Sequence, residues 1–158
     1  MPEGSFVDRT ENILAFGRPG CGKTHLLCAI CHEQGRQVYF TTCDSIVQQL
    51  LRAKRDLELD KLLKRLSRFD VMMIDDFGYV KQDRDEMEVL FTLLAYRYER
   101  GSMFITSNLP FSKWEMIFKD PMTTAAAINR SVHHSVVLEL NVPSYRAEQA
   151  RRRKDKDK

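Results

Sequence analysis

The sequence has no long apolar run, and this absence limits what the chain can be. No stretch approaches the roughly 20 apolar residues that a membrane-spanning helix needs. Residues 1–12 also lack the apolar segment that a secretory signal peptide carries. The sequence therefore gives no reason to expect a membrane partner or export, and we expect a cytoplasmic protein.

Internal repeats and paired metal ligands are missing as well. No segment recurs at a period of about 20–50 residues, which excludes a solenoid or a propeller. Cys28, Cys31 and His32 match the C-x-x-C-H haem attachment pattern, but nothing directs the chain to the oxidising setting that this attachment needs. Since no second cysteine pair stands at ligand spacing, we expect no metal there and predict that Cys28 and Cys31 are small buried residues of a helix.

The body of the chain has almost no net charge. The formal total is +3, but the last eight residues hold six basic and two acidic groups, so the remainder sums to −1. We expect residues 148–158 to be a disordered basic tail that contacts nucleic acid, adds solubility or has no role. Residues 52–68 carry a net charge of +4 and form either the solvated face of two helices or a nucleic-acid surface.

What the sequence does contain is a phosphate-binding loop. Residues 17–24 fit the pattern G-x-x-x-x-G-K-[ST], with an apolar run before them and an apolar helical pattern after them. Three glycines allow backbone N–H groups to close around an anion, because no Cβ atom blocks the bend. A Gly-rich turn without a ligand is the alternative. The predicted binding residues are Gly17, Arg18, Pro19, Gly20, Cys21, Gly22, Lys23 and Thr24.

Two side chains of this loop have predicted chemical roles. Lys23 should reach the β- and γ-phosphates, and the Thr24 hydroxyl should ligate Mg²⁺. The helix after the loop adds free N–H groups and the positive end of its dipole. The predicted ligand is a triphosphate with its magnesium ion.

A pair of acids closes a second apolar stretch. Four consecutive apolar residues, 71–74, precede Asp75 and Asp76, and this pattern is typical of a buried parallel strand. Ligands bind beyond the carboxyl ends of such strands, so both acids should lie at the nucleotide. Asp75 should hold Mg²⁺, mostly through water, and Asp76 should orient or deprotonate the attacking water. A capping Asp-Asp turn is the alternative.

Strand and helix patterns alternate along one domain. This alternation predicts an α/β protein whose parallel sheet is covered by helices on both faces. Asp44 or Ser45 should cap the second helix, and a later helix should run over residues 85–100 and end at Gly101. The predicted strands are residues 12–16, 37–41, 71–74, 103–106 and 135–140.

Several runs of the sequence together indicate a family. They are residues 17–25, 74–78, 97–102, 105–111, 114, 120–121, 125–127, 129–130, 133–135 and 144–146. With these runs the chain resembles the AAA+ ATPases and, more narrowly, the IstB-like transposition helper ATPases, with the DnaC-like helicase loaders as relatives. The resemblance covers roughly residues 12–147.

The resemblance implies a fold, cofactors and partners. The fold would be the P-loop NTPase (AAA+ type) three-layer fold, with a five-stranded parallel sheet and no lid domain. The cofactors would be ATP and Mg²⁺, and the partners DNA, a transposase and further copies of the chain. The domains would be a leader or truncated linker at 1–11, an AAA+ ATPase domain at 12–147 and the tail at 148–158.

The resemblance also assigns further site residues by position. Asn108 matches sensor 1, and His25 belongs to the run that binds nucleotide. Arg130 matches the arginine finger, which would reach the γ-phosphate held by a neighbouring subunit. A helix-end salt bridge is the alternative for Arg130. Arg146 would be a second nucleotide sensor.

Three functions fit these motifs. The first is an ATPase that assembles on DNA and supports transposition, with slow hydrolysis that oligomerisation or DNA stimulates. The second is a DnaC-like helicase loader, which shares every nucleotide motif and differs in its partner. The third is a nucleotide-gated DNA-binding module that does not hydrolyse ATP.

Overall fold

A parallel sheet of five strands organises the protein. The computed structural model describes residues 11–17, 22–33, 35–78, 83–98, 100–133, 135–140 and 145–156, so the predicted leader lies outside it except for residue 11. The strand order is β2-β3-β4-β1-β5, and all neighbouring strands are parallel. This arrangement confirms the predicted sheet. The strands are β1 Asn12–Gly17, β2 Val38–Thr42, β3 Val71–Asp75, β4 Ser102–Ser107 and β5 Ser135–Leu140.

Helices connect the strands, as parallel pairing requires. None of the helices in the described ranges is both long enough and apolar enough to cross a lipid bilayer. A 3₁₀ turn at Phe111–Lys113 precedes the fifth helix. The helices are α1 Lys23–Glu33, α2 Cys43–Arg55, α3 Leu59–Leu66, α4 Arg84–Arg97, α5 Glu115–Phe118, α6 Pro121–Val132 and α7 Tyr145–Lys156.

The sheet separates two hydrophobic cores. Successive strand residues point to opposite faces, so Ile13 belongs to one core and Leu14 to the other. The smaller core packs against Leu27 of α1, whereas the larger one takes its buried side chains from α2 to α6. Helices therefore cover both faces, and the predicted three layers are confirmed.

Helix α2 begins one residue before the predicted caps. Its N-cap is Thr42, whose side chain accepts a hydrogen bond from the Ser45 N–H at 3.2 Å. The last residue of β2 thus also starts the next helix. The expectation that Asp44 or Ser45 would cap this helix is wrong, because a hydroxyl was already available at the end of the strand.

Cys28 is exposed, so the prediction that it is a buried residue is wrong. It lies on α1, the helix that covers the smaller core, and its sulfur is 3.9 Å from the Met73 sulfur. The Cys31 side chain lies outside the part of the chain that the structure describes.

Helix α7 occupies most of the segment for which we expected disorder. The charge composition of this segment predicts a disordered tail. Its residues from Gln149 to Lys156 are exposed in the structure. The segment is nonetheless rich in Ala, Glu, Gln, Arg and Lys, which all favour a helix. The basic groups of residues 151–156 are therefore displayed on a helix.

Helix α4 ends at Arg97, three residues before the predicted end. The Arg97 side chain is only 1% exposed, and its guanidinium donates to the carbonyls of Leu66, Phe69 and Ser102. A Cβ atom at Gly101 would collide with this guanidinium, so any other residue there would displace the Arg97 side chain. Burial lowers the pKa of Arg97, and the nearby Asp70 charge opposes that shift. The buried arginine thus ties α4 to the loop before β3 and to the start of β4.

We predict that Arg97→Met destabilises the protein by about 2–4 kcal/mol, because three carbonyls, two of them in buried hydrogen bonds, lose their donor. Urea unfolding followed by circular dichroism measures the change. Arg100→Met is the matched control, since Arg100 is exposed and lies over the Tyr96 ring, and its change should stay below about 1 kcal/mol. Equal losses in both variants would contradict the assigned role of Arg97.

Candidate nucleotide-binding site

The predicted phosphate loop joins β1 to α1 at the carboxyl edge of the sheet. The structure describes Gly17, Gly22, Lys23 and Thr24 of this loop, whereas residues 18–21, which are Arg18, Pro19, Gly20 and Cys21, lie outside the described ranges. Gly22 has a φ of +91°, a conformation that L side chains rarely adopt. Its carbonyl accepts the Leu26 N–H at 3.0 Å. Glycine at position 22 therefore permits the entry into α1.

Lys23 connects the loop to the end of β4. Its side chain is buried, and its ammonium donates to the Gly17 carbonyl at 3.0 Å and to Asn108 Oδ1 at 2.7 Å. The structure thus brings the predicted phosphate-binding lysine and the predicted sensor amide together. A group that binds one of them would also lie beside the other.

Thr24 connects the loop to the end of β3. Its hydroxyl donates to Asp75 Oδ1 at 2.6 Å, although the two residues are 51 positions apart. The Thr106 hydroxyl donates to the same carboxylate oxygen. The two predicted metal ligands therefore lie in direct contact.

The oxygen atoms at this corner suit a magnesium ion. Mg²⁺ prefers oxygen ligands, and in nucleotide sites it takes one or two carboxylates together with phosphate oxygens and water. Within the described ranges no group of three or more His, Cys, Asp or Glu side chains could hold a metal ion by itself. Thr24 and Asp75 thus fit an ion that arrives with its nucleotide.

Asp76 follows β3 in a left-handed conformation, with a φ of 57°. Aspartate tolerates this region better than most residues. The Asp76 N–H donates to the Thr106 hydroxyl at 3.0 Å, and the Phe77 N–H donates to the Thr106 carbonyl at 2.8 Å. The bend leaves Asp76 exposed at the edge where the loop lies, while Phe77 is buried.

Aromatic packing supports this bend from below. The Phe77 ring lies 4.7 Å from the Trp114 ring, and the Trp114 indole N–H donates to the Leu109 carbonyl at 3.1 Å. Gly78 has a φ of +113°, and a Cβ atom there would lie 2.8 Å from Leu109 Cδ1. No spaced motif predicts a role for Phe77, Gly78, Leu109 or Trp114. Their only signal was their place in the runs that carry the family resemblance.

Cys43 lies beneath the same bend at the start of α2. Burial raises the pKa of its thiol to about 12, and a hydrogen bond with the Gly78 backbone opposes the shift. The thiol is therefore neutral near pH 7 and is not poised as a nucleophile or as a metal ligand.

Arg130 lies at the opposite edge of the sheet. It lines a small cavity with Asn12 and Met103, which stand at the starts of β1 and β4. Its guanidinium donates to the Ala126 carbonyl at 3.2 Å and lies 5.0 Å from the centre of the Phe91 ring. Five residue steps of β1, roughly 16 Å, separate this edge from the loop. Arg130 is therefore too far from the loop of its own chain to contact a phosphate there.

Two predicted site residues remain. His25 is exposed in the first turn of α1. Arg146 belongs to α7, but its side chain lies outside the described part of the chain.

The alternative considered for Arg130 was a helix-end salt bridge. Its described contacts are instead the Ala126 carbonyl and the Phe91 ring.

Comparison with known proteins identifies relatives of this chain. Residues 2–153 match the family described as IstB-like ATP binding protein. The chain is 45% identical to an insertion sequence ATP-binding protein of Sinorhizobium fredii (strain NBRC 101917 / NGR234), over 92% of this chain and 50% of that protein. It is 40% identical to the insertion sequence IS5376 ATP-binding protein of Geobacillus stearothermophilus, over 98% of this chain and 62% of that protein. The chain thus spans about half to three-fifths of these relatives.

Solved structures share the fold. The DnaC helicase loader superimposes with a TM-score of 0.63 at 23% identity, over 86% of this chain and 84% of that chain. Domain III of the Thermotoga maritima replication initiation protein DnaA superimposes with a TM-score of 0.70 at 18% identity, over 94% and 63% of the two chains. The architecture is the three-layer fold of the P-loop AAA+ proteins. Taken with the match over residues 2–153, this places the chain in the IstB-like ATP-binding protein family.

Proposed function

We propose that the protein binds ATP with Mg²⁺, hydrolyses it as an oligomer on DNA, and supports transposition. One observation carries the nucleotide part of this proposal. The Thr24 hydroxyl lies 2.6 Å from Asp75 Oδ1, so the phosphate loop and the acidic strand end form one site. The family match over residues 2–153 supports ATP as the nucleotide.

The chain's own residues divide the chemistry of hydrolysis between them. The Lys23 ammonium binds the phosphate oxygens, and Thr24 and Asp75 hold the magnesium ion. When bound, Mg²⁺ neutralises charge on the phosphates. Asp76 orients the attacking water and accepts its proton, and the Asn108 amide beside Lys23 contacts the same water or the terminal phosphate.

The position of Arg130 supports oligomerisation. Because it lies at the far edge of the sheet, we assign its phosphate contact to a nucleotide held by another copy of the chain. A cation supplied from a neighbour stabilises charge on the phosphoryl group in the transition state. Hydrolysis would then require assembly.

Charge and relatives support DNA and transposase as partners. Helix α7 displays exposed basic side chains at residues 151–154 and 156. Such a cluster suits the phosphate backbone of a nucleic acid. Relatives at 40–45% identity carry insertion-sequence names, whereas the helicase loader is 23% identical and shares the fold. This difference favours transposition over helicase loading.

We predict that Lys23→Ala weakens ATP binding at least about 30-fold, because a charge-assisted contact with phosphate is lost. Asp76→Asn should keep ATP binding and slow phosphate release by about 100-fold. Titration with a fluorescent ATP analogue and a phosphate-release assay measure the two effects. Lys61→Ala, which replaces an exposed lysine beside Glu58, is the control. Undiminished hydrolysis by Lys23→Ala would refute the proposed site.

The neighbour role of Arg130 predicts complementation. Asp76→Asn and Arg130→Ala should each be nearly inactive alone. An equimolar mixture should recover about one quarter of the wild-type turnover, because a quarter of randomly formed interfaces join an intact site to an intact Arg130. Phosphate release from the mixture measures this. A mixture that stays inactive would contradict the neighbour role.

The DNA proposal predicts a change in salt dependence. Replacing Arg151, Arg152 and Arg153 with glutamine should flatten the slope of log K against log salt by up to about 3, because each lost phosphate contact removes roughly 0.9. Fluorescence anisotropy with duplex DNA measures the slope. Replacing Lys64, Arg65 and Arg68 with glutamine removes the same charge from α3 and its C-terminal side. A larger effect in that control would move the contact to residues 52–68.

A further inference from the structure

The Thr106 side chain joins the two acids that follow one another at the end of β3. Thr106 is fully buried near the end of β4. Its hydroxyl donates to Asp75 Oδ1 and accepts the Asp76 N–H at 3.0 Å. One buried hydroxyl therefore contacts both residues to which we assign the metal and the attacking water.

The register of the sheet explains this contact. Ile74 of β3 lies opposite Ile105 of β4, so the next residues, Asp75 and Thr106, are side by side on the same face. A hydroxyl has one hydrogen to donate and lone pairs to accept. Thr106 uses its hydrogen for the carboxylate and a lone pair for the N–H.

The Asp75 carboxylate is held from two sides. Its Oδ1 accepts hydrogen bonds from Thr24, which belongs to the loop side, and from Thr106, which belongs to the sheet. Hydrogen bonds to a carboxylate are stronger than those between neutral groups. Groups that orient a metal ligand in this way typically change metal affinity when they are removed.

The same hydroxyl helps to hold the bend at Asp76. Asp76 has a φ of 57°, a conformation that persists only when its surroundings fix it. Thr106 supplies two of the contacts that do so, through its hydroxyl to the Asp76 N–H and through its carbonyl to the Phe77 N–H. The first of these contacts is lost if the hydroxyl is removed.

We infer that Thr106 is a positioning residue of the magnesium–nucleotide site. Its hydroxyl orients Asp75 toward the ion and fixes the backbone that presents Asp76. This inference rests on the proposed function, because it assumes that the site holds Mg²⁺ with ATP.

Ser107 provides a matched control in the next position. Its hydroxyl is also buried, but it donates to the Phe77 carbonyl at 2.7 Å and accepts the Leu109 N–H at 3.1 Å. These contacts support the same bend, and they are made with backbone groups of Phe77 and Leu109 and not with a carboxylate. Loss of the Ser107 hydroxyl therefore tests general support of the loop, and loss of the Thr106 hydroxyl tests the orientation of the acids.

The experiment compares the dissociation constant of a fluorescent ATP analogue in excess Mg²⁺ with that in EDTA. The ratio of the two constants measures how much the ion tightens binding. Thr106→Val should leave the constant in EDTA within about twofold of the wild-type value and reduce the Mg²⁺ tightening by about tenfold. Thr106→Ser and Ser107→Ala should keep the wild-type ratio.

Thermal melts of all variants accompany the titrations. If Thr106→Val does not fold, Thr106→Ala replaces it, since alanine removes the hydroxyl without adding an apolar methyl against Asp75. A full Mg²⁺ effect in the variant that lacks the hydroxyl, or an equal loss in Ser107→Ala, would overturn the inference. A wild-type protein that binds no ATP would instead overturn the proposed function.

Discussion

The hydrogen bond between Thr24 and Asp75 is the contact on which the candidate site depends. In the strand order β2-β3-β4-β1-β5, the strand β4 separates β1 from β3. The start of α1 must therefore lie over the end of β4 for Thr24 to meet Asp75 of β3, and the 2.6 Å contact shows that it does. Thr106, in β4, contacts Asp75, and Asn108, just after β4, contacts Lys23. Residues at the end of β4 therefore bridge the space between β1 and β3. A parallel sheet makes this possible because all its carboxyl ends lie at one edge.

Sequence patterns were sufficient for the fold wherever a local rule decides the structure. Apolar strands, a Gly-rich loop and amphipathic helices predicted the order of elements and the parallel sheet. The end of α4 was not predictable, because it depends on Arg97 being buried against Leu66, Phe69 and Ser102, which lie on other elements. The cap of α2 was missed because Thr42 serves both a strand and a helix.

The candidate site likewise contains residues that sequence motifs predict and residues that only the fold reveals. Residues to which we assign ligand contacts, such as Lys23, Thr24 and Asp75, stand in spaced motifs that chemistry explains. Residues that support them have no such spacing: Thr106 contacts Asp75 only because the register of β3 and β4 aligns them. The distance between Arg130 and the loop of its own chain likewise follows from the length of β1, whose two ends lie at opposite edges of the sheet, and from no local pattern.

The placement of Arg130 has a consequence for how activity scales with assembly. If each nucleotide is completed by the next copy, the unit of catalysis is the junction between two chains and not the chain. An open row of n copies then holds n − 1 working junctions, whereas a closed ring of n copies holds n. Turnover per chain would rise with concentration before it levels off, and the last chain of every open row would keep its nucleotide unhydrolysed.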